Sequence, residues 1–309
     1  MLYVFLLYAL FASVFTISKT ALQYSGPFFL IGTRMLLAGV ILFTYQFVFN
    51  RQSLRLTKPI WMKLLQLALF NIYLTNVCEF WGLRYLTSFK TCFIYSLSPF
   101  ISALFCYFLF SETLNLKKWI GLLICLIGFV PILLSQSAGE ELTGQFFIFS
   151  WAEISVITAV TLSVYGWILL KQLVNEHGLS PLLVNGISMC IGGTFALVHS
   201  FAVEEWNPIP TTNVPIFLET TFFLIIISNL ICYNLYGYLL KRYSAVFMSF
   251  AGLTTPLFTA LFGWLFLGEN VTWTFYLSFS LVVCGLWIYE QDELGKVNFL
   301  KKMQKLPNP

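Results

Sequence analysis

Two carboxylates, Glu79 and Glu153, stand inside stretches of sequence that are otherwise almost wholly apolar. Where such a stretch crosses a membrane, an ionised side chain near mid-depth costs about 2.5–3.5 kcal/mol or more, so it is kept for a task. Each acid could meet the positive group of a solute, carry a proton, or pair with Lys19, Arg34 or Lys90 as internal glue. Amides and phenols accompany them. Asn71, Tyr73 and Asn76 precede Glu79 and Tyr95 follows it; Tyr165 and Trp167 follow Glu153; Asn229, Tyr233, Asn234 and Tyr236 form a further group. These side chains meet hydrogen-bonding needs without the penalty of a charge. Taken singly, each also reads as an interhelical hydrogen bond contributing about 0.6 kcal/mol; as a set they read as the lining of a cavity. Trp81, Tyr95, Trp167, Tyr233 and Trp264 could stack a planar ring or face a cation, at about 0.5–2 kcal/mol each. Acids with aromatics suit a cationic or zwitterionic organic solute.

Other chemistries lack their residues. The chain has no H-E-x-x-H, no G-x-S-x-G and no paired aspartates in its apolar stretches, so an intramembrane protease or lipid-modifying transferase has no reactive set. Without a Walker A sequence, ATP-driven transport by this chain alone is excluded. A channel or sensor is the other alternative, but a channel needs a continuous polar face, which no stretch carries. The seven cysteines have no C-x-x-C spacing and read as small packing residues rather than disulfides or zinc ligands. His177 and His199 read as standing alone, and neither metal nor cofactor is expected.

The elements that must position these residues follow from composition. Of 309 residues, 59% are hydrophobic and 10% charged, against about 25% charged in soluble domains, so the solvent is a lipid bilayer. Ten apolar stretches are read at 2–18, 27–49, 62–83, 89–110, 117–135, 146–170, 181–203, 216–239, 245–267 and 272–290. About 20 residues at 1.5 Å rise cross a core roughly 30 Å thick. The stretches are apolar all round and too long for tilted strands, which predicts helices. The first lacks a basic leader and a small-x-small cleavage site and reads as a retained span. With a cytoplasmic N-terminus, Arg51, Arg55, Lys58, Lys63, Lys117, Lys118, Lys171, Lys241, Arg242, Lys296, Lys301, Lys302 and Lys305 fall inside. Those are 13 of the 17 basic residues, which places both termini in the cytoplasm. The net charge of +4 therefore concerns orientation and not nucleic acid, and the Lys-rich tail at 292–309 is expected to lie against anionic lipid.

Two segments echo each other. SPFISALFCYFLFSETL and TPLFTALFGWLFLGENV align at a constant offset of 157, bringing Pro99 onto Pro256 and Glu112 onto Glu269. Both prolines are read as interior bends. Both glutamates are read as caps for the following helix, beside Thr113 or Asn115 and Asn270 or Thr272, or as a gating ion pair. Five spans separate the copies, and an odd number of crossings inverts the second relative to the first, as in many secondary transporters. With FASVFTISKTALQYSGPFFLIGTRMLLAG, EFWGLRYLTS and YGYLLKRYSA, these segments make the chain resemble the drug/metabolite transporter superfamily, specifically its ten-helix EamA-type members. The second half departs from that pattern, carrying Trp151-Ala152-Glu153 where a Lys and Arg pair is expected. The resemblance implies an all-α integral membrane fold of ten helices in two inverted five-helix repeats, at 1–136 and 137–291. It implies a secondary transporter or exchanger of a small organic metabolite, S-adenosylmethionine-like or an amino acid, with a proton or counter-substrate as partner, in a bacterial inner membrane. The expected substrate contacts are Glu79, Glu153, Asn71, Asn76, Trp81, Tyr95, Tyr165, Asn229, Tyr233, Asn234, Lys19 and Arg34. In a cysteine-free background, single cysteines at positions 140 and 302 are expected to react from the outer and inner side respectively, and labelling of both from one side contradicts the topology.

Overall fold

The computed structural model describes residues 2–49, 57–110, 116–135, 140–141, 143–147, 149–241, 243, 248, 251–285 and 287–288. Helices α1 (Leu2–Leu22) and α2 (Pro27–Phe49) are continuous. Helix α3 begins as Lys58–Leu67, loosens into a π-helical stretch Ala68–Leu74 and finishes as Thr75–Tyr85. Helix α4 runs Ser88–Ile94, tightens into a 3-10 turn at Tyr95–Leu97 and resumes over Ser98–Phe110, and α5 is Leu116–Leu134. A two-stranded hairpin, β1 (Gln145–Phe146) and β2 (Phe149–Ser150), pairs Gln145 with Ser150 and leads into α6 (Trp151–Asn175). Then come α7 (Pro181–Val203) and α8, built from Val214–Leu224, a π stretch Ile225–Cys232 and Tyr233–Leu239. Helix α9 follows with a 3-10 turn Gly252–Thr254, Thr255–Phe262 and a π stretch Gly263–Leu267, and α10 is Trp273–Gly285.

Helices α1, α2, α6, α7 and α8 are long and apolar enough to span a bilayer, and the apolar segments Trp119–Leu134, Gly252–Leu267 and Trp273–Gly285 are shorter. Large apolar side chains lie on the outside, Phe201 at 64% and Phe266 at 73% exposure among them. That arrangement fits hydrocarbon as solvent.

Within the described residues the sequence limits hold to within a few residues, with two informative differences. The span expected from 146 starts at Trp151, because Ser150 and Glu153 close a reciprocal capping box ahead of it. Pro99 and Pro256 follow an irregular turn instead of interrupting a regular α-helix. Each sits second in a helix restarting after a 3-10 turn, where a missing N–H leaves no carbonyl unpaired. The irregular turns also recur at the offset of the echoed segments: π stretches begin at 68 and 225 and 3-10 turns at 95 and 252, both 157 apart. Glu112, Thr113, Asn115 and the tail from 292 lie outside the described residues.

Two compact units result, one of 1–98 with 138–270 and one of 99–137 with 271–309. In the second, α5 and α10 pack closely, with Gly128 against Leu281 and Val282 and Gly285 against Cys125, while Ser278 Oγ accepts a hydrogen bond from the Ile132 N–H at 3.1 Å. In the first, α2 and α7 run antiparallel along a seam of Gly32, Gly39, Gly186 and Gly193. A Cβ on Gly39 would meet Cys190 and the Gly186 carbonyl, and one on Gly193 the backbone of Leu36 and Met35. Small residues let membrane helices approach backbone to backbone, which is where such helices gain their dispersion energy. Gly193→Val is therefore expected to destabilise by about 1–3 kcal/mol or more, seen as loss of the monodisperse peak on fluorescence-detected size exclusion. Val198→Ala, at a position 63% exposed on the same helix, is expected to leave that peak unchanged.

Candidate functional site

The site is built on the π stretches. Where a helix widens to i→i+5 pairing, some carbonyls lose their usual partner, and the amide of an asparagine five residues past another supplies it. Asn76 Nδ2 donates to the Ile72 carbonyl at 2.8 Å and the Asn71 carbonyl at 3.4 Å. Asn234 Nδ2 donates to the Leu230 carbonyl at 2.9 Å and the Asn229 carbonyl at 3.2 Å. The two runs NIYLTN and NLICYN carry this spacing openly in the sequence, and the sequence reading missed its meaning. Each asparagine then offers its side-chain oxygen to a neighbouring helix. Asn76 Oδ1 accepts from Arg34 Nη2 of α2, and Asn234 Oδ1 accepts from Asn185 Nδ2 of α7 at 2.9 Å.

Arg34 is only 2% exposed. The ring of Phe80 lies 4.7 Å from the guanidinium carbon, and Nε and Nη1 have no hydrogen-bond partner among the described residues. Glu79, one turn beyond Asn76 on α3, accepts a 2.5 Å hydrogen bond from the Tyr95 hydroxyl at the 3-10 turn of α4. Arg34 and Glu79 interact electrostatically without closing into an ion pair. Both Glu79 and Tyr95 are half-buried. The Tyr233 phenol of α8 reaches Asn76 and feels both charges. From Tyr233 an aromatic run leads away: Trp167 lies 5.4 Å from Tyr233 and 4.2 Å from Tyr236, and Tyr236 is 6.4 Å from Phe11. Phe15 meets Tyr95 edge-on at 5.6 Å. Five helices thus place an arginine, a glutamate, an asparagine, three phenols and an indole together, from residues 34 to 236.

Other expected site residues are engaged elsewhere. Glu153 closes the α6 capping box, its Oε2 accepting from the Ser150 N–H at 2.8 Å, and pairs with Lys90 at 2.9 Å; Lys90 also holds Glu140 at 3.2 Å. Lys19 Nζ donates to the carbonyls of Leu83, Arg84 and Leu86 and so caps the C-terminus of α3. Trp81 packs on Tyr85, Tyr165 on Phe70, and Trp264 is 57% exposed. Asn71 lies under Gly166, and Asn229 Nδ2 contacts Met35 Sδ at 2.9 Å. Neither histidine stands alone, since His199 shares a 2.8 Å hydrogen bond with Tyr73 and His177 lies 3.4 Å from Lys63.

Glu269 corrects a second expectation. Its carboxylate caps α4 instead of the following helix, accepting from the Ser88 N–H and hydroxyl, each at 2.7 Å. Glu204 likewise accepts from the Phe28 and Phe29 N–H groups at 2.8 and 2.9 Å at the start of α2. Carboxylates at helix N-termini offset the macrodipole and satisfy orphan donors. With Lys19, Lys90, Glu140 and Glu153 they tie one end of the first unit together. Glu140 is drawn into this network, so the exposed Glu205 is the better labelling position. Lys90→Ala leaves two buried carboxylates without their cation and is expected to cost about 3–5 kcal/mol, read as a lowered thermal midpoint in detergent. Glu153→Gln is expected to lower the midpoint less and to leave transport per folded molecule unchanged.

The chain is similar along most of its length to known proteins. Residues 1–134 and 150–290 match the EamA-like transporter family. The chain is 39% identical over 297 residues to a protein of Chlamydia muridarum (strain MoPn / Nigg) named S-adenosylmethionine/S-adenosylhomocysteine transporter, covering 95% of this chain and 93% of that one. A protein of the same name from Chlamydia trachomatis serovar L2 is also 39% identical, covering 95% of this chain and 90% of that one. An uncharacterized transporter of Bacillus subtilis (strain 168) is 26% identical over 94% of this chain and 88% of its own. A solved crystal structure matches with a TM-score of 0.65 at 17% identity, covering 93% of each chain, a likeness of fold. The chain belongs to the EamA-like transporter family, whose members are multi-pass membrane proteins.

Proposed function

We propose that the chain is a secondary transporter of S-adenosylmethionine and its demethylated product, exchanging one for the other by alternating access in a bacterial inner membrane. The observation that carries this reading is the joining of Glu79, Tyr95, Arg34 and Asn76 to the aromatic run at Tyr233 and Trp167 in one partly accessible site. The names of the chlamydial relatives, similar along 95% of the chain, support the substrate class. An adenosyl amino acid needs a carboxylate for its ammonium group, which Glu79 offers, and flat aromatic faces for its purine, which Trp167, Tyr233 and Tyr236 offer.

Ten spans in two inverted repeats, 1–136 and 137–291, complete the proposal. The support lies in the irregular turns 157 residues apart and in the paired asparagine bulges of α3 and α8. Two related halves give two conformations of similar energy, one open to each side. With both termini cytoplasmic, the tied end of the first unit faces outward. Asn71, Asn229 and Asn234 then act as the framework of the site, and Lys19 and Glu153 as its outer fastening.

The test is counterflow in proteoliposomes loaded with unlabelled S-adenosylhomocysteine. Labelled S-adenosylmethionine is expected to accumulate, and Glu79→Gln, which keeps shape and loses charge, is expected to lower the initial rate by roughly 10- to 100-fold in protein that still elutes as folded. Full activity in Glu79→Gln would contradict the site, and accumulation driven only by amino acids would replace the substrate.

A further inference from the structure

Arg34 poses a question that the reading of Glu79 does not answer. A guanidinium carries five N–H donors, and buried donors without acceptors are costly, the more so inside a membrane. This one is 2% exposed, yet Nε and Nη1 have no protein acceptor among the described residues. The obvious counter-charge, Glu79, is near enough to interact but engages Tyr95 instead of closing on the arginine. The surroundings hold the fork still. Phe80 covers its face at 4.7 Å, and Asn76 grips Nη2 while its own amide is fastened to the Ile72 and Asn71 carbonyls. A single acceptor on Nη2 takes one of its two hydrogens. Whichever it takes, one edge of the fork, Nε with Nη2 or Nη1 with Nη2, remains able to receive both oxygens of a carboxylate.

We infer that Arg34 is the clamp for the α-carboxylate of the transported solute, and that this contact makes a free carboxyl group a condition of transport. The inference rests on the reading of the site as one for adenosyl amino acids, and it divides the labour there. Arg34 takes the carboxylate, Glu79 takes the ammonium on the same carbon, and the aromatic run takes the purine. A buried cation and a half-buried anion that lie near each other without pairing match the two charges of an amino-acid end, each gaining its own counter-charge when the solute binds. The sulfur lies outside this pair. A sulfonium and a thioether are therefore gripped by the same groups, and the methyl group alone is not a basis for rejection.

The experiment is competition against labelled S-adenosylhomocysteine counterflow by the purified full-length chain in proteoliposomes. Wild-type protein is expected to be inhibited roughly 10- to 100-fold more weakly by decarboxylated S-adenosylmethionine than by S-adenosylmethionine. In Arg34→Gln the carboxylated competitor is expected to weaken by about that factor while the decarboxylated one holds its potency, so that their ratio approaches one. Equal potency of the two competitors on wild-type protein overturns the inference, as does a loss in Arg34→Gln that affects both alike. Should Arg34→Gln fail to fold, Arg34→Lys is read in the same way, with partial discrimination expected from its single point charge. If no adenosyl compound is carried at all, the proposed substrate falls. The clamp is then judged separately, by methionine against 3-(methylthio)propylamine as competitors of methionine uptake, where indifference to the carboxyl group overturns it.

Discussion

In hydrocarbon every polar group must find its partner inside the protein, and most of what is distinctive here follows from that. A regular helix satisfies its own backbone. Helices α3 and α8 give up that economy for one π-helical stretch each, and the carbonyls released are recovered by Asn76 and Asn234. The widened turn places an asparagine oxygen toward the neighbouring helix. That oxygen fixes Arg34 in one half and Asn185 in the other. The backbone irregularity and the polar site are a single arrangement, since regularising α3 would leave Asn76 without its anchor and Arg34 without its grip.

The same requirement governs the charges at the helix ends. Lys19 terminates α3, Glu204 starts α2, Glu269 starts α4 and Glu153 starts α6. In each of the first three the charge comes from a distant part of the chain, so that the helix end is completed only when the bundle assembles. Local capping would stabilise helices before they meet; capping across the bundle stabilises their meeting.

Much of this was legible in the sequence. Composition and span length gave membrane helices, and the echoed segments pointed to the recurring turns. Glu79, Tyr95, Arg34, Asn76, Tyr233 and Trp167 were all named from residue type and depth, because a charge or amide inside an apolar stretch is expensive whatever it touches. Contact partners were not legible. Glu153 looked as conspicuous as Glu79, yet it lies three residues past a serine N-cap, a spacing that marks a capping box and was passed over. Glu269 was read as capping its nearest neighbour in sequence, whereas its partner is Ser88, 181 positions away. His199 found Tyr73 across 126 residues. No one-dimensional pattern encodes such pairings, which arise from how α1, α3, α4, α7 and α9 assemble.

The two asparagine bulges differ in what they hold, a cation on Asn76 and a neutral amide on Asn234. Arg34, Glu79 and Tyr95 all belong to α2, α3 and α4, while α6 and α8 bring only uncharged rings and amides. The charge around the proposed site is thus lopsided. A solute seated as proposed would be moored by its charges to one wall and would merely brush the other. Under that proposal, helices on the moored side would carry the ligand as ballast when the protein rearranges, whereas those on the far side would swing past it without breaking a strong bond.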